Sequence, residues 1–204
     1  MTRPAPSETP RPGGLAPPLA ELAGLSLAAL VERFAAGVEH LDRRVLELPD
    51  DLLDTALLPA VAAAEGVGTW PARVLVGHLA DAELLFVFRM RRTVAEEAPV
   101  LSVMDEQAFI DAGLYGAPGA AGEGGAEGGA PPPVAGFIAV IHTLRKWAAR
   151  WLGTLSDEQW RRRALHPERG ELTVRRIVEY DTWHLEHHAA ILRRKIDWLL
   201  GNSK

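Results

Sequence analysis

The sequence predicts an all-α protein, a four-helix bundle with a long connection between its second and third helices. Three observations carry that expectation. Four long segments repeat apolar residues at a spacing of three and four, which lines them along one face of an α-helix. No run alternates apolar and polar residues for long enough to demand a sheet. One connection is of crossover size, as bundles with a long excursion between two helices require.

Each element follows from its residues. Residues 1 to about 22 are rich in Pro, Gly and Ser and too poor in apolar surface to offset the entropy of ordering. A flexible tail is expected there, followed by a single domain over 23–204. From Ser26, a good N-cap, SLAALVERFAAGVEHLDRRVLEL places Leu30, Phe34, Leu41, Val45 and Leu48 on one stripe, the first helix. The second is TWPARVLVGHLADAELLFVFRMRRTVAEE, with Thr69 as cap, an early Pro71, and a stripe of Leu75, Leu79, Ala82, Phe86 and Met90. In the connection that follows, MDEQAF suits a short helical turn, and 116–133 is a Gly-rich loop of low complexity. The third helix aligns Phe137, Ile141, Leu144, Ala148 and Trp151. SDEQW reads as a capped single turn and RRRALHPERGE as a loop. Thr173 then caps a fourth helix, running to about Leu200, whose stripe is Val174, Ile177, Leu185, Leu192 and Leu199.

Composition narrows the function classes. At 204 residues and 48% apolar content the chain can bury one sizeable core. A net charge of -5 with dispersed Lys and Arg disfavours nucleic-acid binding, which wants a concentrated basic face. Trp70, Trp147, Trp151 and Trp183 are therefore expected to fill the core rather than stack on bases. There is no cysteine, so any thiol in the chemistry comes from outside the chain. The N-terminus carries Pro and Gly where a secretory signal needs an apolar core, and no segment approaches the ~20 apolar residues of a membrane span. A soluble cytoplasmic protein is the expectation, with no membrane partner.

The stretch DTWHLEHHAAIL concentrates three histidines within five positions of the last helix. At about 100° per residue, Asp181 and His188 fall near the centre of the apolar stripe and His184 slightly further round, while His187 lies well outside. The HxxxH pair His184 and His188 thus shares a core-facing surface one turn apart. On the second helix His78 joins the stripe and Asp81 lies on its flank. A single inward histidine is readily satisfied by a local hydrogen bond. Two adjacent buried imidazoles need several partners or a shared ion, and a third on a facing helix makes a divalent metal site with open positions. Asp181 could be a fourth ligand, an ion-pair partner at the core rim or, the preferred reading, an acceptor that orients a ligating histidine. His187 is either solvated or an outer donor. His40 and His142 fall off their stripes and His166 precedes a loop proline, so none of these is assigned to the site. Asp105 and Glu106 suit the mouth loop, as a base or a substrate contact.

These residues carry a family resemblance. TWPARVLVGHLADAE resembles the start of the second helix in the DinB-like proteins, including their bacillithiol S-transferase (YfiT-type) branch, matching at Trp70, His78 and Asp81. MDEQAF is similar to that branch's segment after helix two, and HPERGELTVRRIVEYDTWHLEHHAAIL resembles its closing His-Pro loop and histidine-rich helix. Together the three segments span most of residues 25–200. The resemblance implies an up-down-down-up bundle, often dimeric, with one divalent ion held at His78, His184 and His188. Nickel or zinc leads, with iron or manganese as further options. It also implies a metal-dependent enzyme, either a transferase joining a small-molecule thiol to an electrophilic substrate or a hydrolase of a small substrate. Asp181 and, more weakly, Asp81 would support catalysis. The rival is a non-catalytic ligand- or partner-binding bundle with a structural metal. DNA binding is suggested only by the family's damage-inducible name and runs against the acidic balance. The sequence departs from the pattern at Pro71, where Ser is more usual, and in the Gly-rich insertion beside the expected site mouth, which leaves the substrate class open.

Overall fold

The structure, a computed structural model, describes residues 19–116 and 131–201. Residues 1–18 of the expected tail, and 117–130 of the expected Gly-rich loop, lie outside the described residues. Inside them both boundaries move. Leu19–Ala23 forms α1 and buries Leu22 completely. Tyr115 is buried, and the carbonyl of Pro132 accepts from Arg73 Nη1 at 2.9 Å, so the flanks of the loop belong to the packed body.

Ser26 caps α2 (Leu27–Ala36), its side chain accepting from the Ala29 amide at 3.2 Å. The helix expected to continue to Leu48 stops there. Two 3-10 turns, Gly37–His40 and Arg43–Leu46, take over, separated by extended backbone at Leu41. The cause is competition for local backbone groups: Arg145 Nη1 donates to the Phe34 carbonyl at 2.9 Å, and the Asp42 carboxylate accepts from the Arg44 amide at 3.1 Å, restarting the turn. Leu41, Val45 and Leu48 are buried nonetheless, since the 3-10 path also returns side chains to one face every three residues. Two short helices, α3 (Asp50–Leu53) and α4 (Pro59–Glu65), cover one end of the body.

The second long helix, α5 (Ala72–Ala95), starts from Pro71 with no side-chain cap, so Thr69 does not serve in that role. All five of its stripe residues are buried. MDEQAF does form a helix, α6 (Glu106–Asp111), capped by Asp105, which accepts from the Ala108 amide at 3.0 Å. After α7 (Val134–Leu152), Ser156 and Gln159 form a reciprocal capping box on α8 (Asp157–Arg161). The expected loop is a two-stranded antiparallel hairpin, β1 (Arg163–His166) and β2 (Gly170–Thr173). Four-residue strands are too short for alternation to show in sequence, and Gly170, at φ 73°, supplies the left-handed turn position. The Leu101 amide bonds the Leu165 carbonyl and the Leu165 amide bonds Pro99, both at 2.9 Å, so the segment leaving α5 is fastened to the hairpin. The Thr173 side chain accepts from the Arg176 amide at 3.1 Å and starts α9 (Val174–Gly201).

Two apolar layers set the helix directions. Leu30 and Phe34 of α2 pack with Phe86 and Met90 late in α5, Ala148 and Leu152 late in α7, and Val174 and Ile177 early in α9. At the other end, Leu75 and Leu79 early in α5 meet Val134 and Ile141 early in α7, and Leu192 and Leu199 late in α9. Helices α2 and α9 therefore run one way and α5 and α7 the other, an up-down-down-up bundle. Because α5 and α7 are parallel neighbours, the chain between them must cross the length of the bundle. Trp183 is buried, but Trp147 is 48% exposed and stacks beneath the Arg91 guanidinium, 4.8 Å from its ring centre. It fills no core position because α7 turns that face to solvent. No described helix is long and apolar enough to cross a membrane.

Candidate metal centre

Helices α5 and α9 run antiparallel and in contact, which brings His78, near the start of one, against the middle of the other. His78 Nε2 lies 3.4 Å from His184 Nε2. The His184 and His188 rings stand 4.5 Å apart, each within 5.3 Å of the His78 ring, and all three offer a nitrogen within 4.8 Å of the others. The HxxxH spacing accounts for the pair on α9, and the helix-helix packing for the third imidazole. Trp70 meets His78 edge-on at 5.3 Å and walls one side, while Phe86 contacts His184 at 5.6 Å on another.

Burial dictates the charge state. His78, 3% exposed, is pushed down to about 4, because the charged imidazolium is poorly solvated there. His184 and His188 lie well below the usual histidine value, first through burial and then through neighbouring histidines. All three are neutral at neutral pH, and a neutral imidazole carries the lone pair a metal requires. His78 Nδ1 and both nitrogens of His188 are buried without a hydrogen-bond partner. Unpartnered buried nitrogens are costly, and an ion, which takes one nitrogen from each ring, would complete one of the two on His188 and satisfy the facing Nε2 atoms of His78 and His184. The 3.4 Å Nε2–Nε2 separation matches two nitrogens at about 2.0–2.1 Å from one tetrahedral ion. The residues fit a three-histidine divalent site.

Neither carboxylate expected behind the histidines stands there. Asp181 Oδ1 accepts from Arg145 Nη2 at 2.8 Å, and Arg145 Nε reaches Glu83 at 2.7 Å, so Asp181 belongs to a fully buried ion-pair triad. A guanidinium on α7 draws it away from the imidazoles. Asp81 Oδ2 accepts from the Tyr115 hydroxyl at 2.9 Å. Tyr115 packs so closely over Gly77 that a Cβ there would collide with its ring. His187 stacks on Trp183 at 4.9 Å and 13°, beside the cluster and outside it. His40 is exposed, 4.0 Å from Glu186, and His142 is exposed on α7.

A cleft opens from His78 and His184, walled by Phe86 and Arg89 of α5, Tyr180 of α9, and His166, Glu168 and Arg169 of the hairpin, with Val103, Met104 and Glu106 across its mouth. Of the two mouth carboxylates, Glu106 lines this cleft and Asp105 is spent on capping α6. Sequence reasoning placed His166 in a loop, whereas it is 4% exposed on β1 and belongs to the cleft wall. Ala164 and His166 face inward on β1, but four residues are too few for that alternation to be read from sequence. Arg89 was also missed, although it sits three residues after the stripe residue Phe86 on an otherwise apolar face.

Comparison with known proteins gives the family and the fold. A relative from Oceanobacillus iheyensis named “Putative metal-dependent hydrolase” is 26% identical over 162 residues, covering 78% of this chain and 80% of its own. “Putative metal-dependent hydrolase YfiT” of Bacillus subtilis is 28% identical over 136 residues, 64% of this chain and 68% of its own. The solved structure of Bacillus subtilis YfiT, described as “a probable metal-dependent hydrolase with an unusual four-helix bundle topology”, superposes with a TM-score of 0.67 at 22% identity. It covers 87% of this chain and 91% of its own, and shares the fold. The DinB superfamily model matches residues 60–192, a span that holds well over half of the chain and all three clustered histidines, and the chain belongs to the DinB superfamily.

Proposed function

We propose that this chain is a metal-dependent enzyme in which His78, His184 and His188 hold one divalent ion, nickel or zinc by preference, with iron or manganese as alternatives. The observation that carries the reading is the cluster itself: three buried, neutral imidazoles from two helices, each offering one nitrogen within 4.8 Å of the others, with His78 Nδ1 and both His188 nitrogens lacking a hydrogen-bond partner among the described residues. Bound there, a divalent cation lowers the pKa of a coordinated water to about 7 or holds a thiol as thiolate. The rest falls to the side chains. The cleft admits a small substrate beside His78 and His184, and Phe86, Tyr180 and Trp70 keep that end dry. Glu106 and His166 line the same space and are positioned to accept or return a proton.

Two reactions share this requirement: transfer of a low-molecular-weight thiol such as bacillithiol to an electrophile, and hydrolysis of a small substrate. The family resemblance supports the first, and the names of the relatives support the second. Asp181 acts on either only indirectly, through the packing of α9. A homodimer and a cytoplasmic location complete the proposal. Elemental analysis of protein purified without a histidine tag tests it, followed by thiol-transfer and ester-hydrolysis screens of the loaded protein. One ion per chain and turnover in one screen are expected. Full metal content in His184→Ala would remove the ligand assignment, and a bound ion with no turnover in any screen would favour a binding bundle with a structural metal.

A further inference from the structure

Every deeply buried guanidinium in the described residues is matched by carboxylate, with one exception. Arg145 is paired with Glu83 and Asp181, and Arg73 with Asp50 and Asp54. Arg89 is 8% exposed and has no carboxylate within ion-pair distance among the described residues. Its Nε and Nη2 both donate to one carbonyl, that of Ser102, the first at 3.0 Å. Nη1 makes no hydrogen bond to the described residues and is not one of the fully buried unpartnered atoms, so it reaches the cleft. The Ser102 carbonyl holds the side chain in place without neutralising it. A buried charge left this way is unfavourable unless something else completes it.

What it faces is the cleft. The guanidinium carbon lies 5.3 Å from the centre of the Phe86 ring, and that ring lies 5.6 Å from His184. Arg89 therefore stands one aromatic side chain away from the histidine cluster, on the wall of the same cleft. Arg169 lines the cleft as well, with Glu106 and Glu168, and burial first, then the charges of Arg89 and Arg169, hold His166 below its usual pKa.

Resting on the metal-dependent reading above, we propose that Arg89 is a specificity-determining residue that binds a carboxylate on the substrate or its thiol co-substrate. The carboxylate sits remote from the reacting atom, with Phe86 packed along the segment between them. A planar carboxylate suits the free edge of a planar guanidinium and balances its single charge. A phosphate dianion suits it less, because Glu106 and Glu168 share the walls.

The test is equilibrium binding on metal-free protein, by calorimetry or ligand-observed NMR, with 4-phenylbutyrate, its neutral amide and inorganic phosphate as probes. The acid should bind at least tenfold more tightly than the amide, and phosphate should compete weakly. Arg89→Gln should abolish the acid-amide difference, Arg89→Lys should restore part of it, and Arg44→Gln, which alters an exposed arginine paired with Asp42 outside the cleft, should leave it intact. Equal binding of acid and amide by the wild type overturns the proposal without reference to any variant, so a poorly folded Arg89→Gln does not shelter it. Phosphate outcompeting the acid would transfer the site to phosphate esters and refute the carboxylate assignment. Because the ion is absent from this assay, the two readings fail separately: a protein that binds no metal but prefers the acid loses only the metal centre, and one that binds metal but ignores the charge loses only the anchor.

Discussion

Replacing Arg145 with Met tests whether the buried triad holds the bundle together. The guanidinium is completely buried and makes four contacts: Glu83 at 2.7 Å, the Asp181 carboxylate at 2.8 Å, and the carbonyls of Phe34 and Asp181 at 2.9 and 3.1 Å. It thereby ties α7 to α2, α5 and α9 at one point. Met fills similar length but leaves two buried carboxyls without a counter-charge, a change that costs about 3–5 kcal/mol. The orphaned Phe34 carbonyl adds about 1 kcal/mol or more. Burial already raises the pKa of both Glu83 and Asp181 in spite of Arg145, and losing the cation raises them further. A carboxyl whose folded pKa exceeds its unfolded one favours the folded state below the unfolded value and loses that advantage as pH rises through the folded value. The destabilisation should therefore be greatest at pH 8 and smaller at pH 5. Urea denaturation followed by circular dichroism at both pH values is the assay, with a loss of about 4 kcal/mol or more expected at pH 8. Adding Glu83→Gln to Arg145→Met should recover part of it by removing one stranded charge. A loss below about 1 kcal/mol at pH 8, or one that grows on acidification, would refute the reasoning.

Three further outcomes are expected. His78→Ala, His184→Ala and His188→Ala should each lower bound metal severely in mass-spectrometric analysis, whereas His187→Ala, whose ring stacks on Trp183, should reduce affinity no more than the roughly 10–100-fold of an outer contact. Metal-free protein should lose stability as pH falls from 6.5 towards 4, because the depressed His78 binds its proton more readily when unfolded. Its share is about 3 kcal/mol once pH falls below 4, and a flat denaturation profile across that window would contradict it. Gly37→Ala should destabilise by about 1–3 kcal/mol, since the new Cβ would collide with Arg145 Nη1 and stand 2.8 Å from Leu185 Cδ2; an unchanged melting temperature would show that Arg145 yields freely.

The sequence by itself determined the helices that carry strong 3.6-residue periodicity, and with them the inward direction of three histidines. His184 and His188 share a face because one turn of helix separates them, and His78 faces inward because Leu75 and Leu79 do. Only the tertiary structure decided what stands beside those faces. Asp181 was legible as inward-pointing, but its partner is Arg145 on another helix, and a long polar side chain in the core leaves no periodic trace of whom it meets. His166 entered the cleft through a hairpin too short to be read, and Arg89 through a burial that its type argues against. The first helix broke at Gly37 because Arg145 reached its backbone from afar. Periodicity is a local property of the chain, whereas ion pairing and the completion of a cleft depend on neighbours distant in sequence, whose identity is settled only when the helices pack.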